Sequence, residues 1–299
     1  MVIIRLTGGL GNQMFQYAAG RAAALRHNTK LVLSTVFFEE TLSKQAHEQE
    51  VHIELFPAVM AQQLSRISGS KLRKLEDNSR GFIRRNYDKV RVSLGLPTSF
   101  KTVAETSLLQ YQSDFKTHQA TVLSLASDWQ NEKYFIDYES TIRKDFSFPA
   151  LPADSPNVPL LVLMQATQSV AVHVRRGDYL TSTTHRPLAV DFYLRAISLV
   201  KAKVMNPTFF IFSDDISWCQ QQFNLPDAHY ITHNTGLNSY RDMQLMSSCQ
   251  HNIIANSSFS WWGAWLNNNP NKIIIAPEIW LEKYAIKTSN IAPKNWLLL

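Results

Sequence analysis

The stretch from Val2 to Leu33 constrains the fold more than any other part of the chain. Val2-Ile-Ile-Arg-Leu6 is β-branched and apolar, so it reads as a buried strand. Thr7-Gly-Gly-Leu-Gly-Asn12 reads as a turn. Met14 to His27 is Ala-rich, with Met14, Ala18, Ala22 and Leu25 on one helical face. Lys30-Leu-Val-Leu33 is the next strand. A β–α–β unit of this kind builds a parallel sheet.

A second β/α series begins near residue 170. Val170-Ala-Val-His-Val174 reads as a strand ended by Arg175-Arg-Gly-Asp178, with a helix over about 190–204 behind it. Thr208-Phe-Phe-Ile-Phe212 is a strand ended by Ser213-Asp-Asp215. A helix over 238–250 carries Asp242, Leu245, Met246 and Cys249 on one side. Asn252-Ile-Ile-Ala255 is a strand, the loop Asn256-Ser-Ser-Phe-Ser260 follows it, and a helix starts at Trp261. Lys272-Ile-Ile-Ile-Ala276 closes the series. Between the two series, residues 40–125 are less periodic and read as mixed helix and loop. The Pro-rich piece 148–159 reads as a linker. The expectation is two domains, 1–155 and 156–299. Polar residues cluster after successive strands, where open α/β sheets bind ligands.

Composition excludes several classes. With 299 residues, 45% hydrophobic and 18% charged, the chain is neither disordered nor a coiled coil. Two cysteines, Cys219 and Cys249, build no disulfide framework and read as reduced thiols. No window approaches the roughly 18–20 unbroken apolar residues of a membrane span. The N-terminus lacks a basic region followed by an apolar one, so the expectation is a cytoplasmic protein. The net charge of +6 is local: 66–91 holds nine Lys/Arg and three acids. That run reads as a solvated helical face or as a peripheral contact with an anionic membrane. It lacks the interleaved aromatics of a nucleic-acid platform, so no nucleic-acid partner is expected.

Four constellations carry chemistry. Gly8-Gly-Leu-Gly-Asn-Gln13 follows a strand and opens a helix, but a dinucleotide fingerprint read from Gly9 needs glycine where Met14 stands, and the ribose-binding acid is missing. What survives is a turn that brings backbone close to a ligand, with exposed Asn12 and Gln13 amides. In His173-Val-Arg-Arg-Gly-Asp-Tyr179, strand alternation puts His173 and Arg175 on one face and Arg176 on the other. Arg175 suits a phosphate, Arg176 a structural ion pair. The carboxylates of Asp214 and Asp215 face apart in extended chain, so a loop hydrogen-bonding role is expected and no metal. Asn256, Ser257, Ser258 and Phe259 precede a helix N-terminus that favours anions. Trp261, Trp262 and Trp265 are either core or a stacking surface.

These motifs, together with Trp129-Gln-Asn-Glu-Lys-Tyr-Phe135 and Pro277-Glu-Ile-Trp280, resemble the bacterial α-1,2-fucosyltransferases, in order from residue 2 to about 281. The resemblance implies a GT-B type α/β fold, two Rossmann-like domains facing a cleft. It implies transfer of L-fucose from GDP-β-L-fucose, with inversion, to O2 of a terminal galactose on an oligosaccharide or glycolipid. It implies that Arg175 and Ser258 hold the diphosphate, Asp242 the guanine, and His173 the nucleoside end or the fucose. Gly9, Asn12, Asn256, Ser257 and Phe259 complete the donor side; Gln13, Trp129 and Gln130 form the acceptor side. Two stretches depart from the family pattern, Ser127-Asp128 and Arg186-Pro-Leu-Ala-Val190. A bacterial enzyme at the inner membrane face, active without cofactor or metal, is the natural expectation.

The chemistry agrees. Departure of GDP builds negative charge that preorganised donors such as Arg175 and Ser258 stabilise. Inversion in one step favours a carboxylate base, for which Asp178 is the candidate; orienting Arg175 is its other reading. A non-catalytic GDP-sugar or glycan-binding protein and a nucleotide-sugar oxidoreductase are the rival functions.

Overall fold

The computed structural model describes residues 1–41 and 50–299. It divides into two compact units, Met1–Pro149 and Ala150–Leu299. Unit 1 runs β1 (Val2–Arg5), α1 (Leu10–Arg26), β2 (Leu31–Ser34), α2 (Val36–Thr41), α3 (Pro57–Met60), β3 (Ser65–Ile67), α4 (Gly69–Arg80), α5 (Phe82–Ser93), β4 (Thr98–Val103), β5 (Ala120–Leu125) and α6 (Glu139–Asp145). Its strands are parallel, in the order β3-β2-β1-β5-β4. Unit 2 runs α7 (Asn157–Ala166), β6 (Gln168–Val174), α8 (Val190–Lys203), β7 (Pro207–Ser213), α9 (Ile216–Gln222), β8 (His229–Ile231), α10 (Tyr240–Ser248), β9 (His251–Ile253), α11 (Ser258–Leu266), β10 (Ile274–Ala276), the hairpin β11 (Ile279–Leu281) and β12 (Ile286–Lys287), and β13 (Leu297–Leu298). Its main sheet is also parallel, ordered β13-β10-β9-β6-β7-β8. Two such α/β units are the make-up of a GT-B chain.

The inner strands β1, β2, β6 and β7 are short, mainly apolar and buried on both faces, as parallel strands covered by helices must be. Trp261, Trp262 and Trp265 resolve as core: all three are buried and pack ring on ring. Cys219 and Cys249 are buried too, and burial pushes both thiols up, Cys219 to about 11.

Several expectations need correction. The 40–125 region, apart from 42–49, which lie outside the described residues, contributes three strands as well as helices. β4 is a half-exposed edge strand with Ser, Lys and Thr in it, which conceals its periodicity. α7 starts inside the Pro-rich stretch, because Pro159 stands in its first turn, where a missing N–H costs nothing. α1 begins four residues and α11 three residues earlier than expected, at Leu10 and Ser258, so Asn12 and Phe259 are helical.

The main sheet of unit 2 has a topological switch point between β6 and β9. Loops leaving adjacent strands there part to opposite faces and open a crevice for ligands. His173 to Asp178 and Asn256 to Phe259 flank it. In unit 1 the glycine loop and Trp129-Gln130 follow the adjacent strands β1 and β5, and the segment after β5 packs against α1.

Candidate active site

The rim of unit 2 is built on the end of β6. His173 is its penultimate residue and is 6% exposed, with its ring 5.7 Å from that of Phe259. Burial, reinforced by the Arg175 charge, pushes the imidazole down to about 4, so it is neutral at pH 7. Its Nδ1 is buried without a partner among the described residues. Arg175 lies just beyond the strand. Its Nη2 pairs with Asp178 at 2.8 Å and its Nη1 with Asp214 at 3.0 Å. Among the described residues its other three N–H donors have no partner, which leaves them for a ligand. Gly177 permits the approach of Asp214: a Cβ there would lie 2.7 Å from Asp214 Oδ2.

Arg176 turns elsewhere, as strand alternation requires. Its Nε donates to Asp215 Oδ2 at 3.0 Å and its guanidinium covers the Trp218 ring at 4.1 Å. Asp215 also accepts from Trp218 N at 3.1 Å, and Asp214 accepts from Arg176 N at 2.9 Å. The two adjacent acids therefore hold two different arginines and two backbone amides.

Across the switch point, Tyr179 Oη donates to Asn256 O at 3.1 Å, joining the loops after β6 and β9. Asn256 Nδ2 donates to Arg186 O and Trp280 O, so the amide holds the 180–189 loop and β11, while its buried Oδ1 has no described partner. Ser257 is the N-cap position of α11, and Ser258 and Phe259 are half-buried in its first turn. Asp242 sits two strands from His173, in α10 after β8. Burial raises its carboxyl to about 7, and it accepts from Asn234 Nδ2 at 2.8 Å. Asn234, His233 and Asn157 continue that polar network to the start of α7. From β8 through β7 and β6 to β9, the rim spans three strand spacings, roughly 14 Å, long enough for a nucleoside diphosphate.

The rim of unit 1 has a different character. Gly9 is the exposed N-cap of α1, and Gly8 takes φ +68°, a conformation that favours glycine. Gln13, expected to be exposed, is fully buried. Its Nε2 donates to Gly8 O and Glu50 O, and its Oε1 accepts from His52 N and Ile53 N. All four hydrogen-bonding positions of the amide are filled, so an acceptor-binding role for Gln13 is withdrawn. Trp129 is fully buried against Phe115 and Tyr134, and its Nε1 has no partner among the described residues. Asn12 and Gln130 do meet: Gln130 Nε2 donates to Asn12 Oδ1 at 3.2 Å, joining the segments that follow β5 and β1.

Sequence reasoning missed Glu105. Beyond the end of β4, it accepts from Trp129 N at 3.2 Å and from Tyr134 Oη at 3.0 Å. Burial raises its carboxyl to about 7. It clasps the loops after β4 and β5, and holds Trp129 at φ +56°. A lone acid just past an unrecognised strand gave no signal.

These rims belong to a glycosyltransferase. The family model for glycosyl transferase family 11 matches residues 1–299, and the chain belongs to that family. An "Alpha-1,2-colitosyltransferase" of Escherichia coli is 31% identical, covering 99% of this chain and 98% of its own. The "O-antigen biosynthesis glycosyltransferase WbnK" of the same organism is 30% identical over 98% of this chain and 99% of its own. A "Galactoside 2-alpha-L-fucosyltransferase SEC1" of Bos taurus is 32% identical over 32% of this chain and 28% of its own. Among solved structures, a mutant Arabidopsis thaliana FUT1 in complex with GDP shares the fold, with a TM-score of 0.51, 10% identity, and coverage of 98% of this chain and 72% of its own.

Proposed function

We propose that this glycosyltransferase moves L-fucose from GDP-β-L-fucose to O2 of a terminal galactose, with inversion, in synthesis of a surface glycan such as an O-antigen. The observation that carries the reading is the rim of unit 2, where Arg175 keeps three donors for a diphosphate beside a neutral His173 whose buried Nδ1 has no partner among the described residues. The acceptor O2 hydroxyl attacks C1 from the face opposite the diphosphate, the new C1–O2 bond forms as the C1–O bond to GDP breaks, and the hydroxyl proton leaves to bulk water. Arg175 and Ser258 receive the charge developing on the diphosphate. Asp242 meets the guanine, and His173 the nucleoside end or the fucose. Gly9, Asn12, Ser257 and Phe259 line the donor, and Gln130 the acceptor. Asn256 serves by holding the 180–189 loop. Asp178, paired with Arg175, orients that guanidinium rather than acting as the base.

A second donor is favoured by a specific finding, since one full-length relative bears the name colitosyltransferase. Colitose is L-fucose without its 3-hydroxyl, so one pocket chemistry suits both. In this reading the chain works without a divalent metal at the cytoplasmic membrane face, and activity persists in excess EDTA. Loss of activity in EDTA restored by Mn²⁺ overturns the metal-free part. The deciding experiment offers GDP-fucose and GDP-colitose with galactose-terminated and other oligosaccharides, with products read by mass spectrometry. Fucosyl transfer to galactose supports the proposal; colitosyl transfer alone reassigns the donor. GDP-sugar binding without turnover on any acceptor supports the binding-protein alternative instead.

A further inference from the structure

The two helices of the basic run are not alike. α4 is an ordinary amphipathic helix: Leu72 and Leu75 pack against Ile3, Val32 and Ile67 of the sheet. α5 has no buried residue. It is fastened to the protein by its polar side, through Arg84, Asp88 and Arg91, one helical face. Arg84 Nε donates to Ser99 Oγ, Asp88 accepts from Ser99 N at 2.9 Å, and Arg91 Nε donates to Pro97 O at 2.7 Å. Beside that face runs an apolar stripe, Ile83, Tyr87, Val90 and Leu94, at helical spacings of four, three and four. Ile83 is 85% exposed, Leu94 69% and Val90 58%, and Phe82 at the start of the helix is 73% exposed. Arg84 and Arg91 flank the Tyr87 ring at 5.4 and 5.7 Å. Arg80, Arg85 and Lys89 are exposed along the same segment.

A helix that ties its polar face inward and leaves its aliphatic face in water wastes burial unless something else covers it. The cover must be apolar where it meets the stripe and anionic where it meets the arginines. That layering is the interface of an anionic bilayer, with acyl chains beneath charged headgroups. We propose that α5 is a membrane-insertion helix that seats its Ile83–Tyr87–Val90–Leu94 stripe in the interface of an anionic bilayer. This goes beyond a surface charge contact of the basic run, and it rests on the proposed function only in favouring a lipid-borne acceptor.

The test is binding of the full chain to vesicles of phosphatidylcholine with 30 mol% phosphatidylglycerol, or of phosphatidylcholine alone. Ile83→Ser/Leu94→Ser is compared with wild type, and Ile83→Trp is read by fluorescence with brominated lipids. Wild type is expected on the anionic vesicles only. The double serine variant should bind about tenfold or more weaker, since one aliphatic group kept from water is worth about that factor. Its circular dichroism and its turnover on a soluble acceptor should be unchanged. The emission that Ile83→Trp adds to the wild-type spectrum should blue-shift on the vesicles and be quenched by bromine. The proposal is overturned by an absence of vesicle binding, by wild-type-like binding of the double variant, or by added emission in Ile83→Trp that bromine leaves unquenched. It is equally overturned if the double variant abolishes a dimer instead, which assigns the stripe to a second copy. Because binding is read without turnover, loss of the proposed sugar transfer leaves this result standing or falling by itself.

Discussion

Both units carry a parallel sheet, but the strand orders differ, and so does what the polar groups on the two rims are doing. In unit 1 the glycine loop is the most motif-like segment, yet Gln13 fills all its hydrogen-bonding positions with backbone, and Gln16 is engaged with Thr7 at both ends of its amide. In unit 2 the buried His173 Nδ1 and Asn256 Oδ1 have no partner among the described residues, and the part-exposed Arg175 keeps three N–H donors; in unit 1 the buried Trp129 Nε1 is the corresponding unpartnered group. Buried polar groups left unpaired are costly, so unfilled capacity on a rim marks where a ligand completes the structure. Density of motif letters does not. On the proposed function, the glycine loop is mainly a frame and the Arg175 rim is the binding machinery.

The sharpest way to break that contrast is Arg175→Lys. Lysine keeps the charge but loses the planar fork that spans two phosphate oxygens. kcat/KM should fall about 10²–10³-fold, the scale of one lost transition-state donor. Thermal melts should show a retained fold, and the rise in Tm caused by GDP in wild type should shrink. Normal turnover by this variant, alongside a folded but inactive Arg176→Lys, assigns the diphosphate to Arg176 instead.

Gln13→Ala probes the frame, and its effect should be on stability. Removing the amide orphans two backbone N–H groups and two carbonyls around a buried position. A loss of about 2–3 kcal/mol is expected, with Tm falling by about 2–4 °C per kcal/mol. Turnover per folded molecule should stay within a few-fold of wild type. A stable variant with a raised acceptor KM would return Gln13 to the acceptor site.

How much of this was legible follows from the same contrast. The parallel sheets were readable because β1, β6 and β7 are unbroken apolar runs flanked by turns. The separation of Arg175 from Arg176 was readable because strand alternation is a local rule. β3, β4 and β8 were hidden, being short or half-exposed edge strands whose pattern blurs. The fate of Gln13 depends on the 50–53 backbone, which no local rule brings to it. Glu105 was invisible for the same reason, because its partners Trp129 and Tyr134 are distant in the sequence.

Glu105→Gln tests the buried ionisable clasp on the unit 1 rim. Burial holds this carboxyl near 7, above its value in an unfolded chain. Between about pH 4.5 and 7 the folded form therefore binds more protons than the unfolded one, and the contribution of Glu105 to stability declines as pH rises. Glutamine has no such slope. The difference in Tm, variant minus wild type, should grow in favour of the variant from pH 5 to pH 8, whatever constant offset the altered hydrogen bond adds. A pH-independent difference would mean that the carboxyl titrates at its ordinary value and that the clasp on Trp129 carries no burial penalty.

The smallest expected effect tests the contrast within unit 2 itself. Arg176 stands beside Arg175 in sequence, but its Nε is bonded to Asp215 and its flat face rests on Trp218. Arg176→Lys preserves a charge near Asp215 and loses the guanidinium packing over the indole, worth about 0.5–1 kcal/mol at a partly exposed site. Tm should drop by about 2–4 °C per kcal/mol lost, while kcat/KM of the folded enzyme and the Tm rise on adding GDP stay at wild-type values. Because Asp215 also caps α9 through Trp218 N, an accompanying loss should show as faster amide exchange in the first turn of α9. A diminished response to GDP with no change in Tm would show instead that the second arginine reaches the ligand, and that the division of labour between the two neighbours is false.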